Sequence, residues 1–208
     1  TSRGTTATLF VNKTDAEETQ SQSVKSVQSD GFTLGTWDGN NISSKNFVAW
    51  QWKANGGTTT SVSASGTGSG CVNACTHQAN TTAGFSIITY TGRDDQLNNG
   101  QESKLTHGLG VAPDATIMKR RDGTGDWFVM GAFDGASGYP YFTNQYLKLN
   151  GTETINGNYY VGDTAPDATH IFLGNEFVNI ASATYVCYAF AEKQGYSKFG
   201  KYVGNSNV

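Results

Sequence analysis

Large apolar residues in this chain fall in short alternating runs, each cut off after a few positions by Gly, Asn or Asp. Residues 7–12 alternate in this way. Asp30-Gly31 then makes a turn into Phe32-Thr33-Leu34, and Trp37-Asp38-Gly39-Asn40-Asn41 makes another before the aromatic run from Phe47 to Lys53. Period-two alternation bounded by turn residues predicts strands. The signature returns at Phe85–Tyr90, Ala115–Lys119, Trp127–Met130, Tyr146–Leu149, His170–Leu173 and Thr184–Ala191. Residues 55–84 carry Gly, Ser, Thr and Ala with almost no large apolar side chain, which reads as an extended connector. Glu17 to Val27 is the best helix candidate, and its apolar positions are too sparse to make a face. The pattern predicts an all-β protein built as an antiparallel sandwich.

Displaced by 138 positions, the beginning of the chain matches its end. Leu9-Phe10-Val11-Asn12-Lys13-Thr14 falls on Leu147-Lys148-Leu149-Asn150-Gly151-Thr152, and Asn41-Ile42 falls on Asn179-Ile180. Phe47-Val48-Ala49-Trp50-Gln51-Trp52 falls on Tyr185-Val186-Cys187-Tyr188-Ala189-Phe190. A period this long indicates repeated domains rather than a solenoid. The first copy opens at its own final third and residue 1 is Thr, so a slice of a longer modular protein, or a processed product, is expected. Residues 1–57 are then the C-terminal part of a first repeat, 58–84 a connector and 85–208 a complete second repeat. A few strands with one apolar face are marginal alone. The first part must lie against the second, against another chain, or against an upstream segment. Its unpaired edges point to a homo-oligomer.

Composition sharpens this picture. Gly (26 residues) and uncharged polar residues dominate, with 12% aromatic and only 15% charged side chains, a mixture suited to tight turns between strands. Net charge is −3 with Lys and Arg scattered, so nothing would track a phosphate backbone and no nucleic acid partner is expected. No apolar run approaches the roughly 20 residues that cross a bilayer, so no membrane insertion is expected. The first residues have neither the basic nor the apolar region of a signal peptide.

Cys71 and Cys75 are close enough in sequence to close a small disulfide loop in an oxidising setting, or to stand as two thiols. Cys187 sits within a strand pattern and is expected to be a buried free thiol. Zinc would need two more ligands at a recognisable spacing, and none follows.

Several longer stretches resemble a known group of proteins. Trp52-Lys53-Ala54-Asn55-Gly56-Gly57-Thr58-Thr59 and Ala79-Asn80-Thr81-Thr82-Ala83-Gly84-Phe85-Ser86-Ile87-Ile88-Thr89-Tyr90-Thr91-Gly92 resemble repeat modules of marine bacteriophage virion proteins. So do His107-Gly108-Leu109-Gly110-Val111-Ala112-Pro113 and Phe190-Ala191-Glu192-Lys193-Gln194-Gly195-Tyr196-Ser197-Lys198-Phe199-Gly200. The resemblance covers nearly the whole chain. It implies a concanavalin-like or jelly-roll β-sandwich in a large tail-associated or fibre-like protein on the exterior of the phage particle. It implies other copies of the chain and other virion proteins as partners, and brings no catalytic residues and no cofactor. The chain departs from the usual pattern at Arg120-Arg121-Asp122-Gly123 and in the stretch holding Cys71 and Cys75.

Enzyme signatures are lacking. Sandwich glucanases place their carboxyl pair along one strand, whereas Glu17 and Glu18 are adjacent and Glu153, Glu176 and Glu192 are isolated. Neither Gly-x-Ser-x-Gly nor His-Glu-x-x-His occurs. His107 precedes a Gly-Leu-Gly turn and is expected to bond that turn. Asp122-Gly123-Thr124-Gly125-Asp126 lacks the distal Glu of a calcium cradle and reads as a hairpin loop. No catalytic residue and no metal site are therefore assigned.

Aromatic residues carry the remaining signal. Phe47, Trp50, Trp52, Tyr185, Tyr188 and Phe190 recur between the repeats and are expected to pack cores, with Trp50 and Trp52 on one face of their strand. Trp37, Tyr139, Tyr141 and Phe142 lie in loop sequence and are the candidates for receptor binding. The expectation is a non-enzymatic virion structural module that oligomerises and presents host-recognition loops. A glycan-binding adhesion domain for host surface sugars, and a capsid decoration or filament subunit, are the alternatives.

Overall fold

The computed structural model describes residues 4–54, 58–93, 101–131, 145–152, 156–157, 162–174, 176–200, 202 and 204. In chain order the elements begin with β1 (Ala7–Thr8), β2 (Glu18–Thr19), β3 (Val24–Val27) and β4 (Phe32–Leu34), then one helical turn, α1 (Asp38–Asn41). There follow β5 (Thr60–Val62), β6 (Cys75–Asn80), β7 (Phe85–Thr91), β8 (Ser103–Thr106), β9 (Ala115–Arg120) and β10 (Trp127–Gly131). The chain closes with β11 (Gln145–Lys148), β12 (Asn156–Gly157), β13 (His170–Leu173) and β14 (Thr184–Phe190). The fold is the expected all-β antiparallel sandwich.

Its main sheet runs β12-β11-β10-β9-β14-β7-β6-β5, with β14 between β7 and β9. Register sorts the side chains into two faces. One row crosses the sheet as His77, Ile88, Cys187, Met118 and Phe128. These side chains point inward, where the β8–β13 pair forms the second layer with Leu105, Ile171 and Leu173. Each large aliphatic side chain sealed there contributes about 1.5–3 kcal/mol. Tyr90 and Tyr185 stack at 5.0 Å, and the Tyr90 hydroxyl donates to the Val178 carbonyl at 2.6 Å. The neighbouring row, Gln78, Ile87, Tyr188, Ile117 and Val129, points the other way. This outer face is apolar, and the amino-terminal part of the chain covers it.

Two sequence expectations need correction. The stretch 58–84 is not a plain connector, because it supplies β5 and β6 at the edge of the main sheet. Small side chains hid this: Cys75 and Ala79 face the core beside bulkier neighbours on β7 and β8, so β6 needs no large apolar residues of its own. Phe47 to Lys53, in contrast, joins no ladder among the described residues. Its apolar side chains lie open, Val48 at 82% and Trp50 at 74%. Alternation describes a strand only where neighbours accept its backbone groups.

Candidate functional site

Between the amino-terminal part and the outer sheet face lies a cleft of about 830 Å³. Its floor is the outer row, Gln78, Ile87, Tyr188 and Ile117, with Phe85, Phe190 and Trp127 beside it. Residues from β1 and β3 form one wall, and Trp50 and Trp52 stand at its mouth. The aromatic rings make a continuous chain. Trp50 lies 6.3 Å from Trp52, and Trp52 lies 6.4 Å from Phe85 and 6.1 Å from Phe190. Phe85 and Phe190 are 5.1 Å apart, and Phe190 continues to Phe199 at 5.7 Å.

Polar contacts fix the cleft's shape. Trp127 Nε1 donates to the Phe10 carbonyl at 2.8 Å, and Gly125 N–H donates to the Thr14 carbonyl at 2.9 Å. Lys119, on the outer side of β9, has no exposed surface; its ammonium donates to the carbonyls of Arg120 (2.8 Å) and Thr14 (3.3 Å). Burial pushes this ammonium below the ordinary lysine range, opposed by the charges of Asp15 and Asp126. Arg121 and Glu17 form an ion pair at 2.8 Å at the end of β9. Gln78 Nε2 donates to Thr59 Oγ1 at 2.8 Å. Among the described residues that line the cleft there is no carboxylate, His, Lys or Cys. It offers ring faces and amide or hydroxyl groups, which suit an apolar or sugar face better than acid–base chemistry.

Of the sequence-derived candidates, Trp37, Cys71 and Cys75 fall among the described residues. Trp37 stands outside the cleft, before α1, with its ring edge-on to Phe10 at 5.9 Å and folded over Gly39. Tyr139, Tyr141 and Phe142 lie outside the described residues. Cys71 and Cys75 are free, buried thiols with no disulfide between them. Cys75 donates to the Thr106 carbonyl at 3.7 Å, and burial pushes its thiol up to about 11 against that bond. Cys187 is buried in the core, and burial raises its thiol further.

His107 holds its turn, accepting from Leu109 N–H at Nδ1 (3.1 Å). Nε2 then carries the proton and faces the Asp167 carbonyl at 3.1 Å. Burial lowers the ring's affinity for a second proton, opposed by the bond to and the charge of Asp167. A buried amide network escaped sequence reading. Asn179 Oδ1 accepts from Asn73 Nδ2 and from Arg93 N–H, both at 2.9 Å, and its Nδ2 donates to Ser103 Oγ at 3.1 Å. The one sequence signal for it was that Asn179 matches Asn41 in the repeat.

Lys119, Gln78 and the Glu17–Arg121 pair were likewise not singled out as a site. Only the unusual Arg120-Arg121-Asp122-Gly123 stretch drew notice to that corner. Among the described residues, no group of three or more His, Cys, Asp or Glu could hold a metal ion. No helix among them is long and apolar enough to cross a membrane.

The model of a family described as a domain of unknown function (DUF7483) matches residues 1–208. Nothing matches among the curated proteins or the solved structures.

Proposed function

We propose, for a chain that belongs to the DUF7483 family, a non-enzymatic structural role as a tail- or fibre-associated module of a phage virion that presents a host-recognition surface. The observation that supports this reading is the way residues 4–54, read as the C-terminal part of one repeat, cover the outer sheet face of the next. Bonds from Trp127, Lys119, Gly125 and Arg121 reach Phe10, Thr14 and Glu17 across that seam. Repeats joined face to face in this manner build an elongated array, the form a fibre or tail component needs. The resemblance of the Ala79–Gly92 and Phe190–Gly200 stretches to phage virion repeats supports the same assignment. Peptide mass spectrometry on purified particles of the encoding phage tests it. Peptides such as Asp122–Lys148 are expected in intact, washed particles. Finding them only in the lysate of infected cells would reject a virion role.

A second reading is favoured by one feature, the Trp50–Trp52 pair at the mouth of an aromatic cleft. Ring faces flanked by hydroxyl and amide groups are suited to stacking on a sugar of the host surface. Titration with host polysaccharide, followed at the indole N–H signals, is expected to move those of Trp50 and Trp52. If no indole signal moves at millimolar sugar, the glycan reading fails and the structural one stands.

A further inference from the structure

Residues 46–52 carry the pattern of a central strand, and three structural coincidences at the repeat distance show where such a strand belongs. β1 and β2 pair as Ala7 with Thr19 and Thr8 with Glu18. Moved on by 138 positions, the same register is found between β11 and β12, with Gln145 opposite Gly157 and Tyr146 opposite Asn156. The turns that follow also match: Lys13 N–H donates to the Phe10 carbonyl at 3.2 Å, and Gly151 N–H to the Lys148 carbonyl at 3.2 Å. Ser44 and Ser182 are again 138 positions apart, and both are non-glycine residues in the left-handed region, at φ 61° and 63°. That conformation is uncommon for serine and marks the same tight turn in both copies.

Past Ser182 the chain enters β14, and past Ser44, by the same count, it enters Asn46–Trp52. β14 is bonded along both edges, to β7 on one side and β9 on the other. Among the described residues Asn46–Trp52 has no ladder on either edge. A segment with a strand's alternation, two open edges and apolar side chains at both alternating sets of positions is an incomplete sheet element. Its alternation repeats that of β14 position by position. Phe47, Ala49 and Gln51 take the inward places of Tyr185, Cys187 and Ala189, while Val48, Trp50 and Trp52 take the outward places of Val186, Tyr188 and Phe190. Trp52 touches the second copy's sheet through Phe85 and Phe190, yet remains half exposed.

We infer that Asn46–Trp52 is a docking strand whose occupant is a sheet unit of β7- to β10-type strands from another copy of this repeat. A β7-type strand closes on one edge and a β9-type strand on the other, both antiparallel. Register follows from β14: Phe47 sits opposite the counterparts of Tyr90 and Arg120, as Tyr185 does. A single added strand would leave one edge open and one face wet, so the unit must supply both neighbours. This inference does not depend on where the protein resides or on whether it binds sugar.

The repeat distance gives the experiment. Residue 1 corresponds to residue 139, so joining a second copy of residues 58–138 directly ahead of residue 1 supplies β5- to β10-type strands at the spacing of the second repeat. Amide hydrogen exchange is then read at residues 46–52 in the extended and original chains. Slowing by at least about a thousandfold is expected, into the range of residues 184–190 in the same molecule. A blue shift of tryptophan emission should accompany it. Unchanged exchange at 46–52, with 184–190 still protected, would overturn the inference.

A transplant covers the case in which the added block does not fold. The sequence Asn46–Trp52 replaces Thr184–Phe190 in the original chain, beside a control in which the same seven residues are shifted by one place, the last moved to the front, so that the two faces exchange. The transplant is expected to fold with its β14 amides protected, and the control to lose that protection. Equal loss in both would reject the strand assignment.

Discussion

Arg121 and Glu17 are bound to each other three times. The guanidinium donates from Nε at 3.1 Å and from Nη2 at 2.8 Å to the two carboxylate oxygens, and Glu17 N–H donates to the Arg121 carbonyl at 2.8 Å. A planar fork meeting a carboxylate in this way is among the stronger surface-proximal contacts. It ties the amino-terminal part to the end of β9. Replacing Glu17 by Gln is therefore expected to cost about 1–2 kcal/mol of the attachment. Arg121→Lys, which keeps the charge but not the fork, should cost nearly as much. The readout is limited proteolysis: faster cleavage within residues 1–54, with residues 58–200 cut no faster. A variant cut at the wild-type rate would show that the fork does not hold the seam.

Lys119 gives a pH test. Its folded-state proton affinity lies below that of an unfolded lysine because the ammonium is buried. Between the folded and unfolded values the unfolded chain holds more protons, so rising pH stabilises the fold through that window. Lys119→Met removes this dependence and the burial of a charge. The variant is expected to gain on the wild type at pH 7, and the gap in urea midpoint should close as pH climbs toward 10. A gap that widens with pH would mean that the charged form is favoured by the fold.

The thiols make a third test. Cys71, Cys75 and Cys187 are buried and free, and Cys75 and Cys187 titrate well above neutrality. Alkylation at pH 8 should leave the native chain almost unmodified, since thiolate and access are both needed. In guanidinium without reductant the mass should rise by three alkyl groups. A rise of one group would reveal a Cys71–Cys75 bond.

Asn179 is the hub that joins Asn73, Arg93 and Ser103 in the interior. Asn179→Ala takes a partner from the Asn73 amide, which keeps its bond to the Thr91 carbonyl, and from a buried hydroxyl and a backbone N–H. A loss of about 2–4 kcal/mol in urea unfolding is expected. A change under about 0.5 kcal/mol, the size of an ordinary surface substitution, would show that water replaces the amide without penalty.

Much of the sandwich was legible in the sequence, and the reasons are local. Phe85–Tyr90 and Thr184–Ala191 announce central strands because both of their faces are buried, so they carry large apolar residues throughout. β6 announced nothing, since Thr76, His77 and Gln78 are polar and its neighbours supply the bulk. Phe47–Lys53 misled for the opposite reason: its side chains say strand, while the ladder that makes a strand is a property of other segments. The cleft was illegible because its walls come from residues 5–54 and its floor from residues 78–190, and no local pattern joins them. The repeat alone pointed across that distance, matching Trp50 and Trp52 to Tyr188 and Phe190.

The seam also sets a timetable for synthesis. Glu17 and its partner Arg121 are 104 residues apart, so a ribosome adding about 5–20 residues per second makes the first some 5–20 s before the second. In the later part of that interval Val48, Trp50 and Trp52 are outside the tunnel, and Phe190, which packs on Trp52, has not yet been translated. The main sheet is thus made with its cover already translated and waiting. A pause in translation near residue 110 lengthens the period in which these tryptophans are open to chaperones or to neighbouring chains.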